Sequence, residues 1–197
     1  MKFLSTITVV IAVLLFVQRQ SAERYRFIHD EPEIYRDCRH APEMLGFKQM
    51  ADMSDLEIIF NDEGLYVNGT ATVVWDVKQT DRITVHSELE KFSRSSWQPT
   101  PFGMFVEDFC KEMTDPNPKI HNVWVRHIFP QDRQCFEKGT RYRHEPFAGV
   151  VEVEVKNYAF KGRYRAVENW RVYGEYGNLK PENSACLEVP GDFMKVK

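Results

Sequence analysis

Residues 65–77 read Leu-Tyr-Val-Asn-Gly-Thr-Ala-Thr-Val-Val-Trp-Asp-Val. The odd positions carry Leu65, Val67, Gly69, Ala71, Val73, Trp75 and Val77, and the even positions are mostly polar. Successive side chains of a strand point to opposite faces. The period of two therefore predicts one long half-buried strand, bent at Gly69.

The same alternation spreads outward from this stretch. Leu56, Ile58 and Phe60 alternate with polar neighbours ahead of a turn at Asn61-Asp62-Glu63-Gly64. After a turn at Gln79-Thr80-Asp81, Ile83, Val85, Ser87 and Leu89 carry the pattern to Lys91. Val151, Val153 and Val155 alternate with Glu152, Glu154 and Lys156. Tyr164, Ala166, Trp170 and Val172 share a face opposite Arg163, Arg165 and Arg171, and a last short strand holds Cys186 and Val189. One helix is expected, over residues 102–113. The fold class is mainly β: an antiparallel β-sandwich or β-cup with one short helix.

The chain has 197 residues, enough for one domain with a sizeable core. It begins Met1-Lys2, runs apolar from Ile7 to Val17 and reaches Ser21-Ala22. A basic start, a short apolar middle and a small residue at the cut form a secretory leader over residues 1–22, with one domain over 23–197. The apolar run is shorter than the ~20 residues that span a bilayer, and nothing later in the chain could form a span. Without Lys2 and Arg19, 24 basic residues face 29 acidic ones, a net charge of −5. That balance offers no basic face for nucleic acid and no polybasic patch for anionic lipid.

Four cysteines, Cys38, Cys110, Cys135 and Cys186, lie far apart in sequence, so zinc knuckles are absent. An even count behind a leader reads as two disulfides. The sequence leaves three pairings open, of which the nested one, Cys38–Cys186 with Cys110–Cys135, is favoured. The second bridge would staple a lobe over residues 105–135, in which a short amphipathic helix, a Pro/Asn break and Trp124 and Phe129 lead to Cys135. We read that lobe as the mouth of an apolar container.

Signatures of catalysis are missing. There is no G-x-S-x-G elbow, P-loop, G-x-G-x-x-G or H-E-x-x-H. The histidines (His29, His40, His86, His121, His127, His144) are scattered. His121 and His127 could share a strand face, but a metal site needs further ligands. Glu152/Glu154 and Glu88/Glu90 sit at strand spacing on a wet face, not in the apolar pocket that an acid catalyst needs. No catalytic residue, metal or cofactor is expected. Asn68-Gly69-Thr70 is a glycosylation sequon on the strand's polar face; the competing reading of these residues is an Asn-Gly hairpin turn.

The order of motifs resembles a known family. Cys38 comes early and the sequon opens a strand. Val85-His86-Ser87-Glu88-Leu89-Glu90-Lys91 and Trp97 follow. Then come Phe105-x-x-x-Phe109-Cys110, Cys135-x-x-x-Gly139-Thr140-x-Tyr142, Gly162-Arg163-Tyr164-Arg165 and Cys186-Leu187-Glu188-Val189. Over about residues 38 to 189 this is similar to the lysosomal ganglioside activator, and closer to the insect chemosensory A/B-type (CheA/CheB) secreted proteins. The resemblance implies a β-cup with a lipid-accepting cavity over residues 23–197 and supports the nested disulfides. It also implies a role in contact chemosensation with a lipid or hydrocarbon pheromone as ligand. The chain departs from the activator in having four cysteines instead of eight, and in Phe136, where that family usually has proline after the cysteine.

A sandwich whose sheets stay apart keeps a dry cavity for apolar ligands. The expected wall residues are Val73, Trp75, Val85, Leu89, Trp170 and Val172, with Phe102, Phe105, Phe109, Trp124 and Phe129 from the lobe. The reading is a secreted, non-enzymatic carrier of an apolar small molecule or lipid. The alternatives are an accessory protein that binds a membrane receptor or ion channel through a surface such as Trp97, Pro99, Pro101 and Phe102, and a lipid-presenting activator of a hydrolase.

Overall fold

The computed structural model describes residues 22–61, 64–115, 124–156 and 158–196. The leader expected over residues 1–22 lies outside the described residues except for Ala22, and so do His121 and the Pro/Asn break of the lobe. Within the described residues, antiparallel sheets form a curled half-barrel with one short α-helix.

The stretch that fixed the fold class forms β5 (Gly64–Val73). It pairs with β4 (Leu56–Asn61) and, near its end, with β3 (Ala51–Asp52). β8 (Arg141–Gly149) pairs with the same residues of β5 and so takes its other edge. Leu65, Val67 and Val73 are buried as their parity requires. The strand ends at Val73, yet Trp75 and Val77 continue its buried face beyond it. The bend falls at Gly69, where the β5–β8 register shifts and φ is +113°. A Cβ there would meet the Asp55 carbonyl at 2.3 Å, so the bulge needs glycine. Asn68-Gly69 is therefore a mid-strand bulge and not a hairpin turn.

The larger sheet begins with β6 (Arg82–Ser93) and β7 (Ser96–Val106). It continues through β10 (Gly162–Tyr173) and β11 (Ala185–Lys195) to β1 (Glu23–His29) and β9 (Val151–Val155), in the order β7-β6-β10-β11-β1-β9. A two-residue β2 (Arg36–Asp37) also pairs with β11. β11 is far longer than the short strand expected around Cys186 and Val189. Pro190-Gly191 does not end it, because Gly191 lets β1 approach: a Cβ there would sit 2.3 Å from the Ile28 carbonyl. β2 pairs along the edge of β11 that β1 also takes, and the residues after it bring the Cys38–Cys186 disulfide onto Val167 beside Ala41 and Met44.

The helix expected over residues 102–113 is corrected to α1 (Phe109–Thr114). Residues through Val106 belong to β7, and their inward side chains, Phe102, Met104 and Val106, follow period two. Gly103 backs onto the Ser87 carbonyl, at 2.7 Å from where a Cβ would stand. Asp108 caps the helix by accepting from the Lys111 N–H at 3.2 Å. Helical spacing and strand alternation coexist in this apolar run, and pairing with β6 decides between them.

On the outer face, charges pair across strands. Arg165 reaches Glu90 at 2.7 Å and Glu188 at 2.8 Å and lies over the Trp97 ring. Arg163 and Arg36 both bond to Asp30, and Arg26 meets Glu152 at 2.9 Å. The carboxylates singled out by spacing thus belong to surface ladders.

Candidate functional site

Between the two sheets lies a partly open cavity of about 390 Å³, within the range of roughly 300–1,000 Å³ that takes small molecules. β5 contributes Leu65, Val67, Ala71 and Val73, and β4 adds Leu56 and Ile58. β10 supplies Glu168 and Trp170 from the facing sheet. The lobe closes one side. Its Cys110–Cys135 disulfide holds α1 against the segment before β8, with Cα atoms 4.7 Å apart.

Six aromatic rings crowd the lobe side: Trp75, Phe109, Trp124, Phe136, Tyr142 and Trp170. Phe136 stacks on Phe109 with centroids 5.0 Å apart, and Phe109 meets Trp170 at 4.9 Å. Trp124 sits edge-on to Tyr142 at 5.4 Å. Tyr142 donates to the Gln134 carbonyl at 2.9 Å, which ties the lobe to β8. Offset and edge contacts of this kind stiffen a wall without filling the space in front of it.

Of the expected wall residues, the structure brings Val73, Trp75, Phe109, Trp124 and Trp170 to the cavity. The other six lie elsewhere. Val85 and Val172 are buried in the packed core beside it. Leu89 and Phe102 pack into a second cluster around Tyr25, Phe27, Phe160, Tyr164 and Phe193. Phe105 points outward from β7, is 52% exposed and faces His86 edge-on, since strand parity separates it from Phe102. Phe129 lies under the Arg143 guanidinium in the loop before β8. The four expected surface residues are divided as well, because Phe102 turns inward and Trp97 is covered by Arg165.

Sequence reasoning noted Phe136 only as a departure from the activator and passed over Glu168, yet both line the cavity. Glu168 shares its parity with Tyr164, Ala166, Trp170 and Val172, so alternation alone puts it on the dry face. Its carboxylate accepts a hydrogen bond from Trp170 Nε1 at 3.2 Å and has no ion pair among the described residues. Burial raises its pKa above the ordinary carboxylate value, with the indole N–H pulling the other way. Tyr35, stacked on Phe47 at 4.2 Å, lines the same cavity. Burial, aided by the Glu168 charge, pushes its hydroxyl above the usual phenol value.

His144 is a buried titratable group on the lobe side. Trp124 Nε1 donates to its Nε2 at 2.8 Å, which leaves the proton on Nδ1, 3.4 Å from the Gly69 carbonyl. Burial lowers its pKa below the usual histidine value, against the hydrogen bonds to Gly69 and Tyr142. A histidine kept neutral by folding contributes stability that is complete above the unfolded value of about 6.5 and is lost as pH falls below it. Urea unfolding midpoints should therefore drop further between pH 7.5 and 5.5 in the wild type than in His144→Gln. The difference isolates His144 from Glu168, whose raised pKa acts in the opposite sense. Equal pH dependence in the two proteins would contradict the assignment.

Among the described residues, the one group of three metal-ligand side chains is Cys38, His40 and Cys186. Its two sulfurs are joined to each other and offer no thiolate. His127 stacks on Phe147 at 3.9 Å and accepts from Arg126. No helix of the described residues is long and apolar enough to cross a membrane. No protein-family model and no curated protein matches the chain.

Proposed function

We propose that the protein is a secreted, non-catalytic binding protein that carries an apolar or amphiphilic small molecule between its two sheets. One observation carries this reading: a cavity of about 390 Å³ whose wall is almost wholly aliphatic and aromatic. Preformed, mostly apolar space of this size takes apolar ligands. Two disulfides suit an oxidising compartment and agree with the leader read from the sequence. Asn68, on the face of β5 opposite Val67, is the proposed glycan acceptor. The motif resemblance extends the reading to a lipid or hydrocarbon ligand in contact chemosensation.

The test is native mass spectrometry of the secreted, oxidised protein, followed by solvent extraction and reloading with an apolar fluorescent dye. Near-stoichiometric lipid or hydrocarbon in the extract, or dye uptake after stripping, is expected. Ala71 lines the cavity on β5. Ala71→Trp should weaken dye uptake by about tenfold or more while leaving the β signal in circular dichroism intact. A wild-type protein that brings no ligand and takes up no dye would refute the carrier.

A further inference from the structure

A container for pure hydrocarbon has no use for an unpaired carboxylate in its wall. Glu168 is such a group. It lines the cavity, its one hydrogen bond among the described residues comes from Trp170 Nε1, and no cation answers it there. The arginines of its strand do not serve, since Arg163, Arg165 and Arg171 lie on the opposite face by parity, and the first two bond to Asp30, Asp192, Glu90 and Glu188. An isolated charge facing apolar walls is destabilising unless something pairs with it.

The surroundings define what that partner is. The carboxylate accepts hydrogen bonds, and Trp170 and Tyr35 share the cavity wall with it, aromatic rings being groups that attract a cation. The remaining wall, from Met50, Leu65, Val67 and Val73 to Leu187, is suited to an alkyl chain. His29 Nδ1 is a buried polar atom on this wall with no hydrogen-bond partner among the described residues. It is remote from Glu168: His29 pairs with Gly191 and Glu168 with Leu187, four residues apart along β11, or about 13 Å at the rise of a strand. The head-group end is therefore set by Glu168.

We propose that Glu168 anchors the ligand's head, and that the ligand is a long-chain amphiphile whose head donates hydrogen bonds, an amine or an alcohol, in preference to an alkane or a carboxylate. This inference rests on the carrier reading. The test uses stripped full-length protein at pH 7.5 loaded with the apolar dye N-phenylnaphthylamine. The dye is displaced by dodecylamine, dodecyl alcohol, dodecane or dodecanoic acid. The amine and the alcohol should displace it at concentrations about tenfold or more below the acid. Glu168→Gln, nearly isosteric, should keep dye binding and bring amine and acid to within about threefold of each other. Glu168→Leu, which also keeps the wall apolar, should do the same.

The outcomes separate the two readings. If all four compounds displace the dye equally, or the acid does so best, the anchor is refuted and the container stands. If the amine and alcohol preference survives in both variants, Glu168 is not its source and the proposal fails. If the wild type binds neither dye nor any chain, the container itself falls and the anchor with it.

Discussion

Removing the Cys38–Cys186 disulfide as the double alanine variant should destabilise the protein by about 5 kcal/mol, and removing Cys110–Cys135 in the same way by about 3.5 kcal/mol. The order follows from the chain. The first bridge joins residues 148 apart and the second residues 25 apart. A crosslink stabilises chiefly by restricting the unfolded chain, and the longer loop loses more entropy when closed. Native packing adds to the ranking. Cys38 and Cys186 are 4% and 1% exposed and share a small cluster with Val167, so alanine there also loses buried contacts. The effect should reach the cavity. The bridge fixes the arm that leads through Tyr35 to β2, and Tyr35 and Ile34 both line the site. Urea unfolding of the two double variants under non-reducing conditions measures the ranking, and a larger loss from the lobe bridge would contradict it.

The fold was readable because exposure alternates where one face of a sheet meets water. Residues 65–77 and 151–155 show this plainly. Where both faces are covered, alternation fades. β11 is buried over most of its length, with the Cys38 segment packed on its Cys186 side, so only a short strand around Cys186 and Val189 was legible. β1 and β8 escaped notice for another reason. Their inward residues include tyrosine and histidine, as at Tyr25, Tyr142 and His144, and their outward neighbours are arginines, so the apolar contrast is weak.

The site was less legible than the fold. Parity assigns a residue to a face but does not say whether that face meets another side chain or a void. Val73 and Trp170 border the cavity, whereas Val85 and Val172, equally inward, fill the core beside it. The separation of the sheets decides this, and it depends on contacts distant in sequence, such as the Phe109–Phe136 stack. Glu168 is the opposite case. Its parity was plain, but a charged side chain among apolar ones is easily skipped when the pattern sought is hydrophobic.

Trp75→Ala should lower stability by about 3–5 kcal/mol, and a bulky apolar ligand should recover part of that loss. Trp75 is 1% exposed, packs edge-on to Trp170 at 6.2 Å and donates from Nε1 to the Asn183 carbonyl at 2.7 Å. Truncation removes a large buried surface and a buried hydrogen-bond donor together. Trp75→Phe keeps most of the surface and should lose about 1–2 kcal/mol, mainly through the orphaned carbonyl. What distinguishes a container from an ordinary core is the fate of the void. In a closed core the lost volume admits at most a molecule small enough to fill it, and a twelve-carbon chain finds no room. Trp75 borders an existing cavity, so its removal enlarges a space that a ligand can enter. Ligand that binds only the folded state raises stability with concentration, by about 2.7 kcal/mol at a hundred times its Kd. Urea unfolding of Trp75→Ala with increasing dodecyl alcohol should therefore shift to higher midpoints, and further than it does for the wild type under the same additions. A midpoint indifferent to ligand would mean that the space beside Trp75 is closed, and that the rings around it pack a core instead of lining a site.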